Sequence, residues 1–138
     1  MLSITADTNI YVSALNFGGP PDRVVELARA GRIRLTISEA IRDEVSRVLG
    51  AKFGWKDEAI RAATERMADF TEQVYPTQTI HAIADDPSDN RILECAQTAH
   101  SDYIVTGDNH LLRLGLFGTI RIVKPAEFLQ IEPPEAQR

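Results

Sequence analysis

The chain has 138 residues, of which 43% are hydrophobic and 25% charged, the proportions of an ordinary soluble globular domain with enough length to bury a core. No run approaches the 18 apolar residues of a membrane span, and a single cysteine, Cys95, excludes an internal disulfide. The formal net charge of -5 argues against an all-over basic nucleic-acid binder.

The charge is unevenly spread. Between Asp22 and Arg66 ten Lys or Arg stand against eight Asp or Glu, while the rest of the chain is strongly acidic. Arginine outnumbers lysine 12 to 3, and its planar fork suits phosphate oxygens as well as solvated helix faces. MLSITADTN carries no basic stretch followed by an apolar one, so no secretory signal is expected, and the lone cysteine fits a reducing cytoplasm.

In chain order, Leu2 to Asp7 reads as a strand with Asp7 at its end, and Asn9 to Leu15 as a helix. FGGPP, Phe17 to Pro21, is a loop whose prolines preset a helix bearing Val24, Val25, Leu27 and Ala28, which Gly31 stops. Ile33, Leu35 and Ile37 alternate with polar residues as a second strand, after which Ser38 caps a helix carrying Ile41, Val45, Val48 and Leu49. Gly50 to Gly54 reads as a break. Ile60, Ala63, Met67, Phe70 and Val74 then mark one face of a long helix from about Lys56, ended by Pro76. Thr79 to Ile83 reads as a short strand, DDPSD (Asp85 to Asp89) as an acidic loop, and Ser88 to His100 as a helix burying Ile92, Leu93, Ala96 and Ala99. YIVT (Tyr103 to Thr106) is a strand, HLLRL a short helix and Ile120 to Val123 a last strand. Strands alternating with helices predict a mostly parallel sheet covered on both faces. No linker or repeat divides residues 1–130, and 131–138 read as a tail.

Open α/β sheets bind ligands beyond the carboxyl ends of their strands. Asp7 and Asp108 both follow strands, Asp89 sits in the first turn of a helix, and Glu44 lies between the buried-face positions Ile41 and Val45. Each has a structural explanation: an aspartate after a strand forms turns, Asp89 is third in a helix capped by Asp86 with Pro87 first, and Glu44 can pair with Arg47. If the four converge, their repulsion and desolvation call for a cation, and oxygen ligands favour Mg²⁺ or Mn²⁺. Two such ions roughly 4 Å apart suit phosphodiester cleavage.

ADTNIYVSAL (Ala6 to Leu15), ISEAIRDEV (Ile37 to Val45), DDPSDNRILECAQTAHSDYIVTGDNHLL (Asp85 to Leu112) and PAEFL (Pro125 to Leu129) occur in this order. In them the sequence resembles the PIN-domain ribonucleases, and within these the branch of VapC-like toxins, from Ile4 to about Leu129. The resemblance implies a three-layer α/β/α sandwich with a mostly parallel central sheet. It implies a catalytic metal site of Asp7, Glu44, Asp89 and Asp108, with one or two Mg²⁺ or Mn²⁺ ions, and metal-dependent hydrolysis of RNA. Asp7, Asp89 and Asp108 would hold metal directly, and Glu44 would complete the shell or orient water. A cognate antitoxin protein and a homodimer are the implied partners, with no membrane. A housekeeping RNA-processing nuclease of the same fold and a non-catalytic interaction module are the alternatives.

Supporting positions follow from proximity. Asn9 can orient Asp7, contact phosphate or cap a turn, and Thr106 can hydrogen-bond a metal ligand or water. Ser13, one helical turn after Asn9, serves packing equally well, and Asn90 and Asn109 each adjoin a proposed ligand. His110, at a short helix start, reads as a solvated histidine rather than a ligand, and Cys95 as a small buried hydrophobe. GGPP lacks the lysine-serine continuation of a phosphate loop, so nucleotide hydrolysis has no support.

Overall fold

Four short segments, SITA, RLTI, YIV and IRIV, carry the branched side chains that favour a pleated, buried surface, and they form the middle of the sheet. In the computed structural model, which describes residues 1–83 and 86–132, they are β1 (Ser3–Ala6), β2 (Arg34–Ile37), β4 (Tyr103–Val105) and β6 (Ile120–Val123). Two-residue strands β3 (Glu72–Gln73) and β5 (Leu116–Phe117) form the edges, in the order β3-β2-β1-β4-β6-β5. All neighbours are parallel except β5, which turns back antiparallel on β6. This edge hairpin was not foreseen in the sequence, because two residues are too few to show an alternation.

Among the described residues seven helices cover the sheet: α1 (Thr8–Asn16), α2 (Pro20–Arg29), α3 (Glu39–Phe53), α4 (Asp57–Met67), α5 (Pro87–Ala99), α6 (Asn109–Leu114) and α7 (Pro125–Ile131). Every residue of β1 is buried, which requires cover on both faces and gives the three-layer α/β/α sandwich expected. Chain direction across the sheet reverses between β1 and β4, with β2 and β3 on one side and β6 and β5 on the other. This switch point places the carboxyl ends of β1 and β4 side by side around a crevice.

Three sequence expectations shift or fail for identifiable reasons. The break read over Gly50 to Gly54 comes only at its end: α3 runs to Phe53, and Gly54, at φ 68°, supplies the left-handed cap. Gly50 instead sits inside the helix where α4 approaches, and a Cβ there would meet Ile60 Cδ1 at 3.4 Å. The helix drawn through Phe70 and Val74 ends at Met67, because residues 72–73 pair with the open edge of β2 and the Val74 N–H donates to the Ile37 carbonyl at 2.9 Å. No strand forms at Thr79 to Ile83. There α5 takes the backbone: Glu94 accepts the Ile80 N–H at 2.8 Å, and Asn90 accepts the Ile83 N–H and donates to its carbonyl. Helix α7 reaches one residue past the expected domain end, at Ile131, while the rest of the expected tail, 133–138, and Asp85 lie outside the described residues.

Candidate metal centre at the sheet switch point

The site begins with strand pairing. Ala6 and Val105 are partners in the β1–β4 ladder, so the next residues, Asp7 and Thr106, leave the sheet together. The Thr106 hydroxyl, fully buried, donates to Asp7 Oδ2 and accepts the Asp108 N–H at 2.9 Å. Asp7 and Asp108 thus share one hydroxyl relay, and each also caps a helix. Asp7 Oδ1 accepts the Ile10 N–H of α1 at 3.1 Å, and Asp108 Oδ1 accepts the N–H groups of His110 and Leu111 in α6. Both therefore cap helices, where the sequence suggested turn formers, and both stay on the crevice.

Asp7, Glu44, Asp89 and Asp108 line one cleft of about 440 Å³, together with Thr8, Asn9, Arg47, Lys52 and Asp86. Asp86 caps α5 by accepting the Ser88 N–H and hydroxyl, as expected, which leaves Asp89 on the buried first turn. Asp89 is only 6% exposed, and its Oδ2 accepts no hydrogen bond among the described residues.

The electrostatics follow from this crowding. Burial above all pushes the Asp7 carboxyl up to about 6, against the opposing hydrogen bonds from Thr106 and Ile10 and with a further push from Asp108. Burial and the charges of Asp108, Asp86 and Asp7 push Asp89 up to about 7. Glu44 goes the other way: Arg47 grips both of its oxygens, at 2.9 and 2.7 Å, and holds its carboxyl below the ordinary value. A positive charge beside the buried Asp7 and Asp89 carboxyls would favour their ionised forms. The donor set is oxygen-rich and, at Asp7 and Asp89, buried, and it suits a divalent cation.

The supporting residues divide. Thr106 makes the contact expected of it, and Asn9 is exposed on the cleft wall. Asn90 does not line the cleft, and its amide clamps the Ile83 backbone instead. Ser13 is half-buried and Asn109 exposed, and neither lines the cleft. Of the basic 22–66 segment, Arg47 and Lys52 line the cleft, whereas Arg29, Arg32 and Arg34 pair with acids elsewhere.

His110, read from sequence as a solvated histidine, lies close to two of these acids. Its Nδ1 lies 3.6 Å from both Asp89 Oδ2 and Asp108 Oδ1, and one ligand atom from each of Asp89, Asp108 and His110 falls within 4.8 Å of the others. Its position two residues after a strand-end aspartate was the available signal.

Fold and cleft together define an α/β protein with an acidic crevice at a parallel-sheet switch point. The PIN domain family matches residues 3–110, and the chain belongs to that family. The fold is similar to that of a chain in the crystal structure of VapBC2 from Rickettsia felis bound to a DNA fragment from their promoter. The TM-score is 0.64 and the identity 17%, with 88% of this chain and 97% of that chain covered. No curated protein shows significant similarity to the sequence. Among the described residues no helix is long and apolar enough to cross a membrane.

Proposed function

We propose that the chain is a divalent-metal-dependent endoribonuclease and the toxin of a type II toxin–antitoxin pair. The observation that carries this is the meeting of Asp7, Glu44, Asp89 and Asp108 on one cleft at the carboxyl ends of β1 and β4. Membership of the PIN domain family and the fold shared with a VapBC2 chain support the same reading.

Asp7, Asp89 and Asp108 would hold the cation, Mg²⁺ or Mn²⁺. When bound, such an ion supplies Lewis acidity toward water and toward the phosphodiester. Thr106 keeps Asp7 aimed into the cleft and ties its position to Asp108. Glu44, also on the cleft, orients the attacking water once Arg47 is drawn away toward a phosphate. Arg47 and Lys52 then offset the acidic charge and hold the RNA backbone. The partners in this reading are RNA, a cognate antitoxin and a second copy of the chain, in the cytoplasm.

The test is cleavage of a mixed RNA pool by purified protein with Mn²⁺, with Mg²⁺ and with EDTA, run beside Asp108→Asn. Asparagine caps helices about as well as aspartate, so the variant should fold. Cleavage is expected to fall by about a hundredfold or more, since even an outer-shell change costs metal sites 10–100-fold. Equal cleavage in EDTA would rule out the metal-dependent reaction. A saturable divalent site found by calorimetry excludes the alternative in which these acids only cap helices.

A further inference from the structure

The imidazole of His110 faces the two carboxylates that an oxygen-only account of the cleft relies on. His110 is the second residue of α6, and its backbone N–H is fixed on Asp108 Oδ1 at 2.7 Å, so the ring starts beside that carboxylate. Nδ1 sits 3.6 Å from Asp108 Oδ1 and 3.6 Å from Asp89 Oδ2, on an otherwise one-third exposed side chain. Around an ion with ligand bonds of about 2.1 Å, adjacent ligands lie about 3.0 Å apart and opposite ones about 4.2 Å. The spacing found lies between these two values.

The burial of Asp89 Oδ2 points the same way. Asp89 Oδ2 is buried and accepts no hydrogen bond among the described residues, a costly state for a carboxylate oxygen. A cation that satisfied it would also come within reach of His110 Nδ1.

We propose that His110 Nδ1 joins Asp89 and Asp108 as a metal ligand, so that the site selects a transition divalent cation such as Mn²⁺ over Mg²⁺. This rests on the divalent-cation reading of the cleft and narrows the class of ion it takes. Mg²⁺ is a hard ion that keeps oxygen and water around it; imidazole suits the later first-row ions best, and Mn²⁺, lowest in that series, accepts it less readily than they do but more readily than Mg²⁺. A histidine in the shell therefore adds more for Mn²⁺ than for Mg²⁺.

The probe is Mn²⁺ alone, bound to the intact chain. Pulsed electron paramagnetic resonance of the wild type should show nitrogen modulation from a coordinated imidazole. His110→Phe, which keeps a ring of similar size, should lose the modulation and roughly tenfold or more in calorimetric Mn²⁺ affinity, with a smaller loss for Mg²⁺. His81 and His100, both exposed, remain in the variant, so the loss assigns the nitrogen to His110. His110→Asp offers oxygen instead and should still bind Mn²⁺ without the nitrogen signal, while shifting preference toward Mg²⁺. Saturable Mn²⁺ binding without nitrogen modulation, with the Mn²⁺ to Mg²⁺ affinity ratio unchanged in His110→Phe, would overturn the histidine ligand and leave the divalent site standing. Absence of saturable binding of either ion to the wild type would overturn both.

Discussion

Replacing Asp7 by asparagine should make the metal-free protein more stable at pH 8 and less stable at pH 4. The Asp7 carboxyl is 4% exposed and is raised from 3.8 to about 6, chiefly by burial. A shift of about two units corresponds to about 3 kcal/mol of preference for the neutral form in the folded state. The sign follows from linkage. Because the folded pKa lies above the unfolded one, the contribution to stability is complete below pH 4 and is lost as pH rises through 6. At pH 8 the wild type carries the whole penalty of an ionised buried carboxylate, whereas asparagine carries none. Asparagine keeps an oxygen for the Ile10 N–H but leaves the Thr106 hydroxyl without its acceptor, a loss of about 1 kcal/mol. The net gain at pH 8 is about 2 kcal/mol, or roughly 4–8 °C in Tm for a chain of this size. At pH 4 only the hydrogen-bond loss remains, and the variant should melt slightly below the wild type. Thermal melts in EDTA across this range should therefore cross between pH 4 and pH 6. Saturating Mn²⁺ should reverse the order at pH 8, because binding stabilises the wild type by mass action. An Asp7→Asn protein destabilised equally at both pH values would refute the claim that burial governs this carboxylate.

Further outcomes follow from the same geometry. Arg47→Gln should leave the Tm nearly unchanged, since an exposed ion pair contributes about 0–1 kcal/mol, while lowering the salt slope of RNA binding by about one unit; anisotropy titrations at several salt concentrations read this directly. Thr106→Val removes both the donor to Asp7 and the acceptor for the Asp108 N–H, so chemical denaturation should show a loss of about 1–3 kcal/mol together with slower RNA cleavage. Gly50→Ala should stabilise by up to about 1 kcal/mol, because the position is helical and the new methyl meets Ile60 Cδ1 at an ordinary 3.4 Å; a lower Tm would mean that α4 cannot accommodate it.

How legible each element was depended on where its hydrogen bonds go. Helix α3 was visible because Ser38 caps it locally and Ile41, Val45, Val48 and Leu49 keep helical spacing against the core. Residues 70–74 were misread because Phe70 and Val74 pack against the core at the same spacing, while their backbone answers to the distant β2 edge. Thr79 to Ile83 misled for a related reason: its backbone partners are side chains of α5, which no local pattern encodes. In the cleft, Asp7, Asp89 and Asp108 were legible through their motifs and their places at element ends. The placement of the His110 ring was not, because a helix-start histidine looks the same whether its ring faces water or two carboxylates. Asn90 shows the converse, since adjacency to Asp89 in sequence puts it on a different face of the helix, against Ile83.

The position of the cleft also explains a feature of the core that hydrophobicity alone would not require. Beneath Asp7, Thr5 and Thr36 are direct partners in the β1–β2 ladder, and their hydroxyls meet at 2.9 Å. Thr5 also meets the Ser101 hydroxyl at 2.8 Å, all three residues being buried. Three hydroxyls in a core add little net stability over well-packed methyl groups, but they tolerate misalignment poorly, because each unpaired buried hydroxyl costs about 1–3 kcal/mol. A one-residue slip of β1 would break both contacts and send Asp7 to the opposite face, about 3.3 Å along the strand. All four acids come from separate segments and meet only if β1, β2 and β4 hold their register. The polar layer therefore makes the wrong alignments expensive at the strand on which the acidic cleft depends most.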